Sequence, residues 1–390
     1  MNILFIINID MSQNGPSVHL LNDIMDGFKQ KKHFITRIER KFGQNSWNIK
    51  EREEKREKII TVETLPPKSR SYANRYLDDI KYVIKCYKIL KNKKFDAVFL
   101  QSCNCAGFHL YWISKKLKCP VFYNVQDIFP LDMVYEGTMG RYNPIYFVFD
   151  ILQKYAYKKS KSIITISEDM KQTLIKIGVD KEKIKVIYNW AYKENYNLEY
   201  DMLVKNKYFT NKKYHVVYAG NIGVAQGVEN LISACSYLKE NTDIEVIIIG
   251  RGSRLDNCKI LAQKLELNNI IFLDLAPQYL AQYIYNNADI NIVTLAPGII
   301  KTSLPSKTAA CYSSKRPVIY CAESDAITIR KLIKGSNFIF QCDPKNPKQL
   351  ADIILKIKNS KLENKKYCFF ENVLFPQSAS AYVSLIEERN

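Results

Sequence analysis

The chain has 390 residues, 47% hydrophobic and 25% charged, and its length favours two domains at about 150 residues per domain. Gly and Pro number only 14 and 13, which excludes a collagen-like or disordered protein, and no run of about 18 apolar residues could span a membrane. The formal net charge of +19 favours an anionic partner (nucleic acid, a membrane surface or phosphorylated ligands), although a lysine-rich proteome would explain the total equally well.

Apolar runs that predict strands alternate with amphipathic stretches that predict helices. In the first half, the predicted strands cover residues 2–8, 34–39, 58–63, 97–101, 121–125 and 162–167. The predicted helices cover residues 18–30, 76–91 and 145–158. The first run lacks the basic segment and cleavage site of a signal peptide, so we expect a strand there and a cytoplasmic protein.

The pattern restarts after residues 188–211, where Tyr, Asn, Glu and Lys dominate and no periodicity remains. The second half predicts strands at residues 214–219, 245–250, 270–273, 290–294, 318–321 and 338–341. Its predicted helices cover residues 228–239, 255–265, 278–286 and 307–313. We therefore predict an α/β protein with two doubly wound domains, residues 1–187 and 188–375, facing each other across a cleft. A last apolar helix within residues 376–390 is expected to pack back on the first domain.

Two segments of the first domain follow predicted strands, at the edge where doubly wound sheets bind ligands. Gly15, in the loop after the first strand, allows a close backbone approach and precedes a helix N-terminus that suits an anion. A plain strand–helix turn would also explain this loop. Asp127 follows the strand at residues 121–125 and could orient a hydroxyl or balance a developing positive charge, or it could cap a helix.

Two glycine-containing turns of the second domain are suited to phosphate or nucleotide binding. Gly220, Asn221 and Gly223 lie in a glycine-rich turn between a strand and a helix, an arrangement that is common but lets a phosphate approach the backbone. Gly250 ends the next predicted strand and offers an open backbone, and Arg254 follows it and offers a guanidinium. A solvated turn would explain this second pair as well.

A third segment of the second domain leads into the predicted helix at residues 307–313. Its ammonium group, on Lys307, opposes the helix dipole in the first turn unless an anion is bound there. This conflict favours a diphosphate site, with candidate residues Ser303, Pro305, Ser306 and Lys307.

Several chemistries have no motif in the chain. The ten cysteines include no C-x-x-C pair and the four histidines show no metal-ligand spacing, so a zinc site is not expected. The patterns D-x-D, G-x-x-x-x-G-K-[ST], G-x-S-x-G and H-E-x-x-H are absent too. We expect chemistry without a metal or cofactor, and a chain without nucleic-acid partners, because no nucleic-acid module is recognisable.

Taken together, these segments resemble glycosyltransferase family 4, the retaining, nucleotide-sugar-dependent enzymes of the GT-B fold. The resemblance covers nearly the whole chain. In detail, the segments are similar to a bacterial subgroup that builds O-antigen and capsule and includes N-acetylfucosamine-type transferases. The segments that carry it are residues 125–130, 188–190, 220–227 and 304–307.

The resemblance implies that the first domain binds the acceptor and the second binds the nucleotide-sugar donor. The residues that would hold the nucleotide and its diphosphate are Gly250, Arg254, Ser306 and Lys307. Gly15 would approach the transferred sugar or its phosphate, and Asp127 would lie near the reacting carbon. Retention is usually explained by front-face attack, in which the donor's own β-phosphate takes the acceptor proton and the enzyme stabilises the leaving diphosphate.

The chain departs from the family pattern at two pairs of positions. The two glutamates, eight residues apart, that usually contact the sugar and the ribose are replaced by Thr302 and Ala310. This replacement bears on donor identity and on activity. Asn221 and Gln226 stand where many members carry Arg and Lys, but both are usual in the O-antigen subgroup and indicate specialisation.

The resemblance also implies a UDP-sugar donor, an undecaprenyl-diphosphate-linked sugar acceptor and a peripheral place on the inner face of the cell membrane. Residues 1–187 carry 33 Lys and Arg against 20 Asp and Glu, so this half would face the lipid. The candidate lysines on the predicted helix at residues 76–91, which would contact lipid or simply solvent, are Lys81, Lys85, Lys88 and Lys91. Two other functions stay open: a nucleotide-sugar 2-epimerase of the same architecture and a non-catalytic anion-binding protein.

Overall fold

The computed structural model describes residues 1–12, 17–43, 47–66, 72–191, 197–360 and 377–389. Their contacts divide the chain into two compact units, Met1–Tyr188 with Phe375–Asn390, and Asn189–Leu374. In both units parallel strands alternate with helices, which confirms the predicted α/β fold class.

The first unit is built on a mostly parallel sheet. Its strands are β1 (Asn2–Ile7), β2 (Phe34–Phe42), β3 (Ile49–Glu54), β4 (Glu57–Thr64), β5 (Ala97–Gln101), β6 (Val121–Val125), β7 (Ser162–Thr165) and β8 (Ile184–Val186). Its helices before the second unit are α1 (Val18–Gln30), α2 (Tyr72–Leu90), α3 (Ala106–Trp112), α4 (Leu131–Tyr135), α5 (Pro144–Lys159) and α6 (Glu168–Lys176). The strand order is β3-β4-β2-β1-β5-β6-β7-β8, and β3 alone among the described strands runs antiparallel to its neighbour.

Continuous apolar runs produce the central strands of this sheet. Residues 3–7 of β1 and 97–100 of β5 are fully buried, as expected for parallel strands covered on both faces. The edge strand β3 differs, because all six of its residues are exposed and the last five are all charged, with side chains of both signs. It forms by antiparallel pairing with β4, so the apolar pattern of the sequence does not indicate it.

The second unit contains a parallel sheet. Its strands are β9 (Tyr214–Asn221), β10 (Ile244–Arg251), β11 (Ile270–Leu273), β12 (Ile290–Thr294), β13 (Val318–Cys321) and β14 (Ile339–Cys342). Its helices are α7 (Leu198–Tyr208), α8 (Glu229–Cys235), α9 (Leu255–Lys264), α10 (Ala281–Asn287), α11 (Lys307–Ser313), α12 (Ile327–Gly335) and α13 (Pro347–Asn359). The order β11-β10-β9-β12-β13-β14 reverses direction between β9 and β12. Doubly wound sheets bind ligands at such a reversal, outside the carboxyl ends of the strands.

Helix α7 lies inside residues 188–211, where the sequence shows no periodicity. It begins after Asn197, whose side chain accepts hydrogen bonds from the N–H groups of Glu199 and Tyr200. Acidic residues occupy its first turn and lysines its last turn, so it is stabilised by a cap and by the helix dipole rather than by an apolar stripe. None of the helices in the described ranges is long and apolar enough to cross a bilayer.

The last helix, α14 (Gln377–Arg389), packs within the first unit. A Cβ on Gly27 of α1 would lie 3.2 Å from Val383 Cγ2, so the two helices approach closely. The hydroxyl of Tyr382 donates to Asn124 Oδ1 at 3.1 Å, beneath the carboxyl end of β6. The end of the chain therefore completes the layer that covers one face of the first sheet.

Candidate functional site

The glycine-rich loop starts at the last two residues of β9, Gly220 and Asn221, and is closed by a glutamine. Gly220 has a φ of +138°, a conformation that residues with side chains rarely adopt. The side-chain amide of Asn221 donates to Gln226 Oε1 at 2.9 Å, and the N–H of Gly223 donates to the same oxygen at 3.0 Å. The structure thus brings together three of the predicted donor-site residues, held by Gln226.

The end of β10 passes directly against this loop. A Cβ on Gly250 would lie 1.9 Å from the carbonyl oxygen of Gly220, and a Cβ on Gly252 would lie 2.2 Å from the carbonyl oxygen of Ile222. Neither position can accept a side chain without moving the backbone. Gly250, predicted to contact the nucleotide, therefore allows two strand-end loops to approach each other.

Arg254 lies between β10 and α9 and is paired with an acidic residue. Its Nε lies 2.7 Å from Glu229 Oε1, and both side chains are partly exposed. Its backbone N–H donates to the carbonyl of Ile222 at 2.9 Å, which ties the start of α9 to the loop after β9. The guanidinium thus lies beside the glycine-rich loop, and Glu229, at the start of α8, is a contact that the sequence pattern did not indicate.

Lys307, the first residue of α11, buries its ammonium group. Nζ lies 3.6 Å from the centroid of the Tyr218 ring and has no hydrogen-bond acceptor among the described residues. A Cβ on Gly220 would lie 3.0 Å from the same Nζ, so the ammonium faces the first residue of the glycine-rich loop. Burial lowers the pKa of Lys307 to about 7.

Tyr218 joins this ammonium to the loop. Its ring lies under Lys307 Nζ, and its hydroxyl donates to the carbonyl of Asn221. Burial raises the pKa of Tyr218, so the phenol stays neutral and keeps its proton for this bond. The residue lies on β9, two positions before Gly220, and only the tertiary structure reveals its contact with α11.

The turn before α11 is held by its own hydrogen bonds. The hydroxyl of Thr302 and the N–H of Ser303 both donate to the carbonyl of Ile299, at 3.1 and 2.9 Å. Thr302 is fully buried, so the residue that replaces the usual glutamate fills the turn. Pro305 is half-buried, and Ser306 is exposed with no side-chain hydrogen bond to the start of α11.

Asp127 of the first unit lies among other carboxyl groups. It is exposed at the end of β6, in the segment before α4. Burial, and to a lesser extent the negative charge of Asp127, raise the pKa of Asp132 to about 7. The same two causes, in the same order, raise the pKa of Glu136. Only Asp127 was predicted from the sequence; Asp132 and Glu136 follow it after 5 and 9 residues, but their burial is evident only in the structure.

Two predictions for the site have no structural outcome. Gly15 lies outside the described residues. In the part of the chain that the structure describes, no group of three His, Cys, Asp or Glu side chains is placed to hold a metal ion. Independence from metal stays a prediction.

Comparisons with known proteins agree with this architecture. The glycosyltransferase WbjE of Pseudomonas aeruginosa is 24% identical over 266 residues, which are 67% of this chain and 65% of WbjE. WcaI of Escherichia coli K12, named as a colanic acid biosynthesis glycosyl transferase, is 25% identical over 189 residues, 47% of this chain and 46% of WcaI. Both alignments span less than two thirds of the relative's own length.

The fold is shared with solved structures. HepE of Anabaena, solved in complex with UDP, matches with a TM-score of 0.65 at 16% identity, covering 100% of this chain and 95% of HepE. This match confirms the GT-B fold. Two family models match the sequence, Glycosyltransferase Family 4 over residues 24–191 and Glycosyl transferases group 1 over residues 213–360. The two matches together cover most of both units, and the chain therefore belongs to the glycosyltransferases, as a Family 4 domain followed by a group 1 domain.

Proposed function

We propose that the chain is a retaining glycosyltransferase that moves a sugar from a UDP-sugar to a lipid-diphosphate-linked glycan in bacterial surface polysaccharide synthesis. Membership of the family supports the reaction type, and the complex of HepE with UDP supports the base. The name of WcaI supports a role in polysaccharide synthesis. An undecaprenyl-diphosphate-linked acceptor and a peripheral place on the inner membrane face rest on the resemblance to O-antigen and capsule enzymes.

The observation that carries the donor half of this proposal is the buried ammonium of Lys307. An unpaired buried charge is unfavourable, and a phosphate oxygen placed beside Nζ would remove that penalty. The ammonium faces Gly220, at the reversal of strand order where ligands bind in this class of sheet. A diphosphate is the anion that fits both the charge and the open backbone of the loop.

Six of the candidate residues have a direct role in the proposed reaction. The acceptor hydroxyl attacks the anomeric carbon from the side on which the diphosphate leaves, the bond from that carbon to the β-phosphate oxygen breaks, and the hydroxyl proton passes to this oxygen. Lys307 and Arg254 balance the charge of the departing diphosphate. The loop of Gly220, Asn221 and Gly223 approaches the phosphates, and Asp127 acts on the acceptor side. The scheme requires no divalent metal.

Thermal unfolding with a nucleotide panel tests the donor site. UDP should raise the midpoint more than GDP, CDP or dTDP, equally with and without EDTA, because a ligand of the folded state stabilises by mass action. Lys307→Met should weaken UDP binding by about tenfold or more, since one charge-assisted contact to phosphate is lost. The matched control is Lys301→Met, the same change on a half-buried lysine of the preceding turn. Equal UDP binding by both variants would refute the assignment of Lys307.

A transfer assay separates the remaining functions. With a lipid-diphosphate-linked acceptor, the product should keep the anomeric configuration of the donor, as read by NMR, and UDP should be released. A 2-epimerase would instead change the free UDP-sugar without any acceptor. An anion-binding protein would shift the unfolding midpoint but turn over nothing.

A further inference from the structure

Helix α5 exposes large apolar side chains to solvent. Phe147, Val148 and Ile151 are 51%, 54% and 67% exposed. Tyr142, two residues before the helix, and Ile145, in its first turn, are 90% and 48% exposed. We call these five residues the outer face of α5.

The opposite side of α5 already supplies the packing that the helix needs. Phe149 packs against Tyr76 and Phe129, with ring centroids 4.3 and 5.1 Å apart. Gln153 donates from Nε2 to the hydroxyl of Tyr123 at 2.6 Å. A Cβ on Gly107 of α3 would lie 2.4 Å from a backbone oxygen of α5, so these two helices are in close contact. A helix that is apolar on both sides needs a second apolar environment for its outer face.

Positive charge surrounds the outer face. Lys154, Lys158 and Lys159 occupy the end of the helix and are exposed. Lys115, from the turn after α3, lies 4.4 Å from the ring centroid of Tyr111 and interacts electrostatically with Tyr155 of α5. Arg141, just before the helix, is exposed too. Asp150, the one acidic residue of α5, is paired with Lys154 at 2.8 Å.

This combination points to one occupant. An apolar helix face with a basic border is the pattern of helices that lie in the interface of an anionic bilayer. Two copies of the chain would bring their positive borders together, which disfavours pairing through this face. The lysines of α2 that the sequence indicated for lipid contact add charge, but Lys81 is paired with Asp78 at 3.1 Å.

We propose that the outer face of α5 docks on an anionic lipid bilayer. Phe147, Val148 and Ile151 enter the boundary between headgroups and acyl chains, and the bordering lysines contact the lipid phosphates. This surface would hold the proposed enzyme on the membrane that contains its acceptor. The proposal rests on the proposed function only in that the acceptor is linked to lipid. Vesicle binding is measured without nucleotide or sugar, so failure of the donor-site assignment leaves it standing.

The first test is co-sedimentation of the full chain with phosphatidylcholine vesicles that contain phosphatidylglycerol. The double variant Phe147→Glu with Ile151→Glu should reduce the partition coefficient at least tenfold. The control is Met202→Glu, on α7 of the second unit, because Met202 is as exposed as Val148, at 54%. No binding of the unaltered chain, or equal binding by the double variant, would overturn the proposal. Loss of self-association rather than of vesicle binding would show a protein interface instead.

A second test does not depend on the folding of a charged variant. In Val148→Trp, brominated lipids should quench the new tryptophan beyond the level seen for the unaltered chain. In Met202→Trp, brominated lipids should not quench the new tryptophan, although Met202 is as exposed as Val148 and lies on another helix. Equal quenching of the two variants would contradict docking through α5. Retained UDP-dependent stabilisation of both variants would show that the donor site is intact.

Discussion

At the scale of residues, the energetics of the donor site centre on the contact of Lys307 with Tyr218. The π-face of the tyrosine ring attracts the ammonium through a cation–π interaction. Among the described residues, however, no oxygen accepts a hydrogen bond from the ammonium. Burial therefore favours the neutral amine and lowers the pKa to about 7. A bound diphosphate would reverse this shift by pairing with the protonated form.

This reversal predicts how UDP-sugar binding depends on pH. Both phosphates of a UDP-sugar are esterified, so neither changes its ionisation near neutral pH. Any pH dependence of binding in this range therefore comes from a group of the protein. Below about pH 7 Lys307 is already protonated in the free protein and affinity should be constant. Above pH 7 the ligand must bind together with a proton, so affinity should fall by up to tenfold per pH unit.

Calorimetry in two buffers of different ionisation enthalpy checks this prediction. Titration with a UDP-sugar at pH 8 should show proton uptake, and Lys307→Met should abolish it together with the pH dependence. Proton uptake that persists in Lys307→Met would assign the titration to another group. A flat affinity between pH 6 and 8.5 in the unaltered chain would show that the ammonium is not at the diphosphate.

At the scale of elements, the ends of β9 and β10 form the donor-site scaffold by close backbone approach. Gly250 pairs with Gly220 in the parallel register, and its missing side chain leaves room for the carbonyl of Gly220. Because Gly220 also faces Lys307, a shift of β10 would change the distance between the loop and the ammonium. Packing in the sheet and geometry of the site are therefore coupled at this point.

Gly250→Ala tests that coupling. The added methyl group overlaps the carbonyl oxygen of Gly220, so we expect a loss of about 1–3 kcal/mol in the free energy of unfolding and weaker UDP binding. Gly140→Ala is the control, since a Cβ there meets no atom within 4 Å. Urea unfolding and the UDP-induced midpoint shift give the two readouts. An unchanged free energy of unfolding in Gly250→Ala would show that the ends of β9 and β10 can move apart without loss of stability.

At the scale of the whole molecule, the chain begins and ends in the same unit. Helix α14 returns to α1, and Ile386 is fully buried there. His33 Nε2 also lies 2.8 Å from Glu387 Oε1 at the edge of this contact. The C-terminal helix is thus part of the core of the first unit, although residues 197–360 separate it in sequence from most of that core.

Ile386→Ala measures the contribution of this helix. Removing a fully buried isoleucine side chain should lower the free energy of unfolding by about 2–4 kcal/mol, through lost burial and the cavity left behind. Glu388→Ala, on an exposed position of the same helix, should change it by less than about 0.5 kcal/mol. Urea unfolding at constant pH compares the two. Equal effects would mean that α14 is only loosely attached.

Local periodicity was sufficient for much of the architecture. The bounds of α1, β5, β6, β11, β12, α11 and β13 agree with the sequence prediction, because each has a strong apolar pattern that follows from local geometry. It was insufficient for β3 and α7, whose polar sequences form an element through strand pairing and capping. The carboxyl groups of Asp132 and Glu136 were missed because their environment depends on burial, which the residue spacing does not contain.

The sequence by itself determined the α/β class, the two-domain organisation from the restart of the strand–helix pattern, and the positions of Gly220 after a strand and Lys307 in the first turn of a helix. These features depend on neighbours in the chain. Tertiary structure alone decided that Tyr218 lies under the ammonium of Lys307 and that Gly250 must leave room for Gly220. It also decided that α5 keeps one apolar side in solvent, because large apolar residues occur on both its buried side and its exposed side, and the sequence does not distinguish the two.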